Sequence, residues 1–117
     1  EIIMVHELKI APIYFEAVRS GKKKFEVRKD DRNYQENDVL CLKEYDNNAY
    51  TGNEYAVTVT YILRGECCKD GYCIMSIMPD NNINSVINQK NADVKPQIIY
   101  DKCRGYKVIY PQHEKYS

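Results

Sequence analysis

The chain has 117 residues, with 17 Lys and Arg balanced by 17 Asp and Glu. This length suits one domain that buries roughly 65% of its unfolded surface, so folding needs no disulfide or metal staple. The neutral charge balance excludes a protein that holds long nucleic-acid duplexes by general basicity, and the lack of an apolar run near 18 residues excludes a membrane-spanning helix.

In chain order, VHELKI (5–10) alternates, with His6, Leu8 and Ile10 on one face, Glu7 and Lys9 on the other, and Val5 out of phase. It predicts a strand. Pro12 suits a first helical position, where its missing N–H costs nothing. Gly21 can close a helix in the left-handed conformation. Residues 12–20 are therefore expected to form a short helix, with Tyr14, Ala17 and Val18 on one face and Ile13 beside it. KKFEVRK (23–29) alternates again. Its apolar pair, Phe25 and Val27, is expected to be buried, which sets Glu26 and Arg28 on the opposite, accessible face about 7 Å apart.

DVLCLKEY (38–45) is the next strand, followed by a polar loop, DNNAYTGNE (46–54). EYAVTVTYILRG (54–65) carries the longest strand pattern, with Tyr55, Val57, Val59 and Tyr61 on one face and Thr58 and Thr60 on the other. Asp70-Gly71 signals a tight connection into YCIMSIM (72–78). Residues 79–97 carry five asparagines and few large apolar side chains, so a polar linker or weakly helical surface segment is expected. QIIYDKCRGYKVIY (97–110) reads as a hairpin that either adds strands to the fold or pairs with another molecule.

This order predicts a mainly β (α+β) fold: a small antiparallel or mixed barrel over residues 1–78, with one short helix after the first strand, a segment 79–97 and an extension 98–117. Eleven tyrosines fit strand packing and also supply flat faces for base stacking. The five cysteines, Cys41, Cys67, Cys68, Cys73 and Cys103, are expected as free thiols. The cluster ECCKDGYC lacks the second ligand pair of a zinc site, and no metal or other cofactor is expected. The opening EIIMV is too short for the apolar core of a signal peptide, so the expected location is cytoplasmic, with Met4 a candidate start.

The segment HELKIAPIYFEAVRSGKKKFEVRKDD, with YILRG and GYCIMSI behind it, resembles the ASCH-like family of bacterial and phage proteins within the PUA-like superfamily. The likeness runs from His6 to about Ile77. The signature G-x-K-x-x-E-x-R stands here as Gly21, Lys23, Glu26 and Arg28. The resemblance implies a PUA-like barrel with a cleft beside the first helix that binds RNA or modified nucleosides. Some relatives are small amidohydrolases that deacetylate acetylated cytidine with a lysine and a threonine. Lys23 matches that lysine, whereas Glu26 stands where the threonine is expected, which removes the hydroxyl nucleophile. Family placement alone adds Lys9 to the cleft.

Read physically, the stretch SGKKKFEVRKDDR sets one carboxylate, Glu26, among several cations, with Asp30 and Asp31 following them. Glu26 can accept hydrogen bonds from Arg28 or from a base, and Arg28 can meet phosphate in bidentate fashion. The competing view is an ordinary exposed ion pair beside a solvated lysine turn, worth under ~1 kcal/mol. His6 is either a core histidine or a proton shuttle, and Tyr14 either packs or stacks on a base. Lys24 flanks the motif.

Three functions follow. The first is an RNA- or nucleotide-binding module using Lys9, Gly21, Lys23, Glu26 and Arg28. The second is an amidohydrolase of an acylated nucleoside, with Glu26 as base and Lys23 holding the oxyanion. The third is a protein-interaction module, bacterial or phage, that forms a homo-oligomer or a partner complex through the C-terminal hairpin.

Overall fold

The computed structural model describes residues 2–88, 97–101 and 105–109, with side chains described over 4–88. Strand β1 (Ile2–Ile10) leads into helix α1 (Pro12–Arg19). Strands β2 (Phe25–Lys29), β3 (Val39–Asp46), β4 (Ala49–Leu63) and β5 (Tyr72–Pro79) follow, then helix α2 (Asn81–Asn88) and strands β6 (Gln97–Asp101) and β7 (Gly105–Ile109). The strands form one mixed sheet in the order β2-β5-β4-β3-β1-β7-β6. Only β1 and β3 are parallel among the pairs, with Val5 opposite Val39 and Leu8 opposite Leu42. The expected mainly β class and the helix after the first strand hold. Five strands curl into a half-barrel, and the hydrogen-bonded order ends at β2 on one side and β6 on the other.

Curvature gives the sheet two unlike faces. The concave side holds the main core, in which Leu8, Leu40, Leu42, Val57, Val59 and Met75 pack under Phe15 and Val18 of α1. The convex side is partly covered by α2, where Ile83 and Ile87 meet Val5, Val39, Cys41 and Ala56. Val5 is therefore out of phase with His6 because β1 is covered on both faces.

Helix α1 starts at Pro12 and stops as expected. Gly21 adopts φ +85°, and its N–H reaches the Val18 carbonyl at 3.0 Å while Lys23 N–H reaches that of Ala17 at 2.9 Å. The buried stripe is Phe15 and Val18, so Ile13 and Tyr14 are exposed instead of packed. An eight-residue helix crossing the mouth of a curled sheet can bury only a narrow stripe, and the phenyl ring at 15 fits the core more fully than the hydroxyl-bearing ring at 14.

Two other expectations change. The loop expected over 46–54 is a hairpin: Asn47 and Asn48 take φ 51° and 63°, the turn that matches strand twist, and β4 begins at Ala49. A register shift between Val59 and Tyr61 marks a bulge at Thr60. The bulge reverses the alternation, so Tyr61 faces outward at 59% exposure while Ile62 packs on the core.

Residues 81–88 are helical. Asp80 caps α2 by accepting from the Ile83 N–H at 2.9 Å, and its other oxygen accepts from the Thr58 hydroxyl at 3.1 Å. The Asn84 amide donates to the Ala56 carbonyl at 2.9 Å and accepts from the Ala56 N–H at 2.7 Å. It thereby continues the ladder where β5 ends at Pro79. Strand β7 pairs antiparallel with β1, so the hairpin extends the chain's own sheet. Cys103 and residues 110–117 lie outside the described residues.

Candidate functional site

A cleft of about 570 Å³ lies where the end of β1, the start of α1 and strand β2 meet. Lys9, Ile10 and Ala11 form one wall, Tyr14 a second, and Lys23 with residues 25–28 the floor. Lys23, Glu26 and Arg28 are brought together because Gly21 reverses the chain directly into β2.

Strand β2 faces the other way from expectation. Glu26 is 2% exposed, whereas Phe25 and Val27 stand out at 46% and 51%. Alternation tells which residues share a face, not which face is inside. Two conditions invert it here. The convex face under Phe25 and Val27 has no covering element among the described residues. On the concave side, Glu26 finds two cations that satisfy both its oxygens. Lys23 Nζ lies 2.5 Å from Glu26 Oε2, and Arg28 Nε and Nη2 lie 2.9 Å from Oε1. Lys23 Nζ also donates to the Phe25 carbonyl at 2.7 Å. The Glu26–Arg28 pair is thus partly buried and doubly partnered, not the exposed surface pair that bulk statistics favour.

Aromatic rings complete the cation environment. Lys23 Nζ sits 4.8 Å from the Phe25 ring centroid and 5.7 Å from that of Tyr14, a residue 54% exposed. The Lys9 ammonium lies 4.3 Å over the Tyr45 ring. With one carboxylate and two cations the floor carries a net positive charge, and its cations are held in place before any ligand arrives.

Among the sequence candidates, Lys9, Tyr14, Lys23, Glu26 and Arg28 all line the cleft. Gly21 acts from behind it, through the turn. Lys24 is exposed outside it and accepts the Ile77 N–H at 3.1 Å through its carbonyl. Ile10, Ala11, Phe25 and Val27 also line the cleft, the last two because β2 turns them outward instead of into the core. For Ile10 and Ala11 the available signal was their position just before Pro12, at the strand-to-helix junction.

His6 is also outside the cleft and fully buried. Its Nε2 lies 2.9 Å from Asp38 Oδ2, and its ring meets Tyr34 edge-on with centroids 4.9 Å apart. Asp38 Oδ2 further accepts the Gln35 N–H at 3.0 Å. This is a core histidine with a buried acidic partner that lies 32 positions away in sequence. Burial pushes the Tyr34 phenol up from 10.0 to about 12, with Arg32 and Arg28 pulling the other way. The neutral phenol is favoured in the fold, so its contribution is complete below about pH 10 and is lost as pH rises through about 12. Unfolding free energy is expected to fall over that window, and Tyr34→Phe should flatten the decline in urea titrations at stepped pH.

The described cysteines, Cys41, Cys67, Cys68 and Cys73, are free. Burial raises the pKa of Cys41, further raised by Glu54, whose carboxylate accepts its thiol at 3.2 Å, and burial likewise raises that of Cys73. Neither is an activated nucleophile. No group of three metal-ligating side chains occurs among the described residues, and none of the described helices is long and apolar enough to cross a membrane.

Residues 5–77 match the family described as a domain of unknown function, DUF3850. The chain belongs to this family. The DUF3850 segment contains every cleft residue and stops before α2, β6 and β7. The chain is also similar to an uncharacterised 12.9 kDa protein in the GpA 3′ region of Escherichia phage P2, at 41% identity over 56 residues. That match covers 48% of this chain and 51% of the phage protein, so the chain spans about half the length of the curated relative it matches.

Proposed function

We propose that this DUF3850 chain binds an RNA or nucleotide ligand in the β1–α1–β2 cleft. The observation that carries this reading is the buried Glu26 carboxylate gripping Lys23 and Arg28 at the floor of a ligand-sized cavity. Cavities of roughly 300–1,000 Å³ take small ligands. The carboxylate fixes the cations, the cations receive a phosphate or a base edge, and the exposed Tyr14 ring offers a stacking face. The ASCH-like and PUA-like resemblance of Gly21, Lys23, Glu26 and Arg28 supports the same conclusion. Glu26 is thus a positioning residue; its near-complete burial argues against the direct base contact expected from the sequence.

The amidohydrolase alternative is less well supported. A general base needs a free lone pair aimed at water, and both Glu26 oxygens already accept from cations. No turnover is expected across a panel of acylated nucleosides.

The test is fluorescence anisotropy with labelled nucleotides and short RNA across a salt series. Arg28→Lys keeps the charge that Glu26 needs but loses the planar fork, and is expected to weaken binding about tenfold. Lys23→Ala with Arg28→Ala should abolish binding, with the fold checked by circular dichroism. Unchanged affinity in folded samples of both variants would sink the proposal.

A further inference from the structure

The convex face of the sheet is covered by α2 over one part only. The part running from β2 through β5 to the end of β4 has no covering element among the described residues. Strand register assembles its side chains in rows. Val27 lies opposite Ile74, which lies opposite Leu63; Phe25 lies opposite Ser76, which lies opposite Tyr61. Lys29 and Tyr72 form the next row. Phe25, Val27, Tyr61 and Leu63 are 46%, 51%, 59% and 39% exposed. The Thr60 bulge creates this surface, since unbroken alternation would have turned Tyr61 inward.

The charge on the strands of this face is cationic, and the adjoining 64–71 loop carries Glu66 and Asp70 as well as Lys69. Lys29 shares the face, and Lys69 Nζ lies 5.4 Å from the Tyr72 ring centroid. Neither lysine enters an ion pair among the described residues. The outward positions on these strand segments hold no Asp or Glu. Phe25 and Tyr61 stand two strand spacings apart, about 10 Å.

We propose that this face is a stacking platform for single-stranded nucleic acid. Phe25, Tyr61 and Tyr72 receive bases, and Lys29 and Lys69 receive phosphates. Aromatic rings on an open sheet face accept unpaired bases of any sequence, whereas a duplex hides those bases. A second copy of the chain suits the face poorly, because two-fold packing brings the same lysines together. The platform rests, like the cleft reading, on the premise that the ligand is nucleic acid, and the two sites meet at Phe25 and Val27, which border the cleft from the edge strand. Tyr61, Lys29 and Leu63 do not line the cleft, so variants there separate the two.

The experiment uses the full chain, a labelled mixed-sequence single-stranded RNA, its blunt duplex and a nucleoside monophosphate. The single strand is expected to bind more tightly than the duplex. Tyr61→Ala should weaken single-strand binding about tenfold, Tyr61→Phe should restore it, and Lys29→Ala should lower the salt slope by about 0.7. Monophosphate affinity should be unchanged in all three. Single-strand binding that survives Tyr61→Ala but fails in Arg28→Lys overturns the platform and leaves the cleft standing. Tyr61-dependent binding without monophosphate binding supports the platform and overturns the cleft. No binding of the single strand at all, or a dimer in light scattering that Leu63→Ser dissociates, overturns the platform.

Discussion

Glu26→Gln is expected to lower the unfolding free energy by about 2–4 kcal/mol, the largest loss from any one cleft side chain. The carboxylate accepts from Lys23 on one oxygen and Arg28 on the other, and it is almost wholly shielded from water. An amide keeps one acceptor and turns the other into a donor that faces a cation. Lys23 and Arg28 are themselves only 17% and 22% exposed at their side chains, so neither recovers full hydration when its partner is neutralised. A shift in melting temperature of roughly 10–20 °C should accompany the loss. A cycle with Lys23→Met separates pairing from packing, because the second substitution removes the cation that Glu26→Gln strands. The two together should cost less than the sum of the singles by about 1 kcal/mol or more. Additive costs would show that Glu26 matters only as volume.

This carboxylate also shows where sequence stops and tertiary structure takes over. Gly21, Lys23, Glu26 and Arg28 fall within eight residues of a helix-to-strand turn, so their proximity was legible from spacing. Their facing was not. The usual preference for burying Phe25 and Val27 assumes a covered outer face, and nothing local reports that α2 stops short of β2. Similarly, Asn47-Asn48 signals a hairpin only once strands flank it. Here the flanks are polar and held by surface contacts, among them the Tyr45–Tyr50 edge-to-face pair at 5.1 Å and Glu44 with the Thr51 hydroxyl at 2.8 Å. Such a strand lacks the alternating apolar pattern that reveals one. The helix start at Pro12, the turn at Asp70-Gly71 and strands β3 and β5 were readable because each depends on its own residues.

Asp38→Ala is expected to destabilise the fold by about 2–4 kcal/mol, far more than the loss of one exposed hydrogen bond. Asp38 Oδ2 serves both His6 Nε2 and the Gln35 N–H, so removing it orphans a fully buried imidazole and a part-buried backbone donor. His6 Nδ1 already has no hydrogen-bond partner among the described residues, which would leave the ring without a polar contact on either side. The backbone carbonyl of Asp38 accepts from Val59 N–H at 2.8 Å, so β4 is tied to the same loop and would loosen with it. Asp38→Asn, which retains an acceptor oxygen, should lose about half as much in urea titrations. His6→Leu separates core from shuttle. The substitution keeps an apolar body beside Tyr34 and opposite Leu40, and nucleotide affinity should stay within twofold of the parent because His6 does not line the cleft. A folded His6→Leu protein with a tenfold loss in affinity would instead connect the buried His6–Asp38 pair to the ligand site.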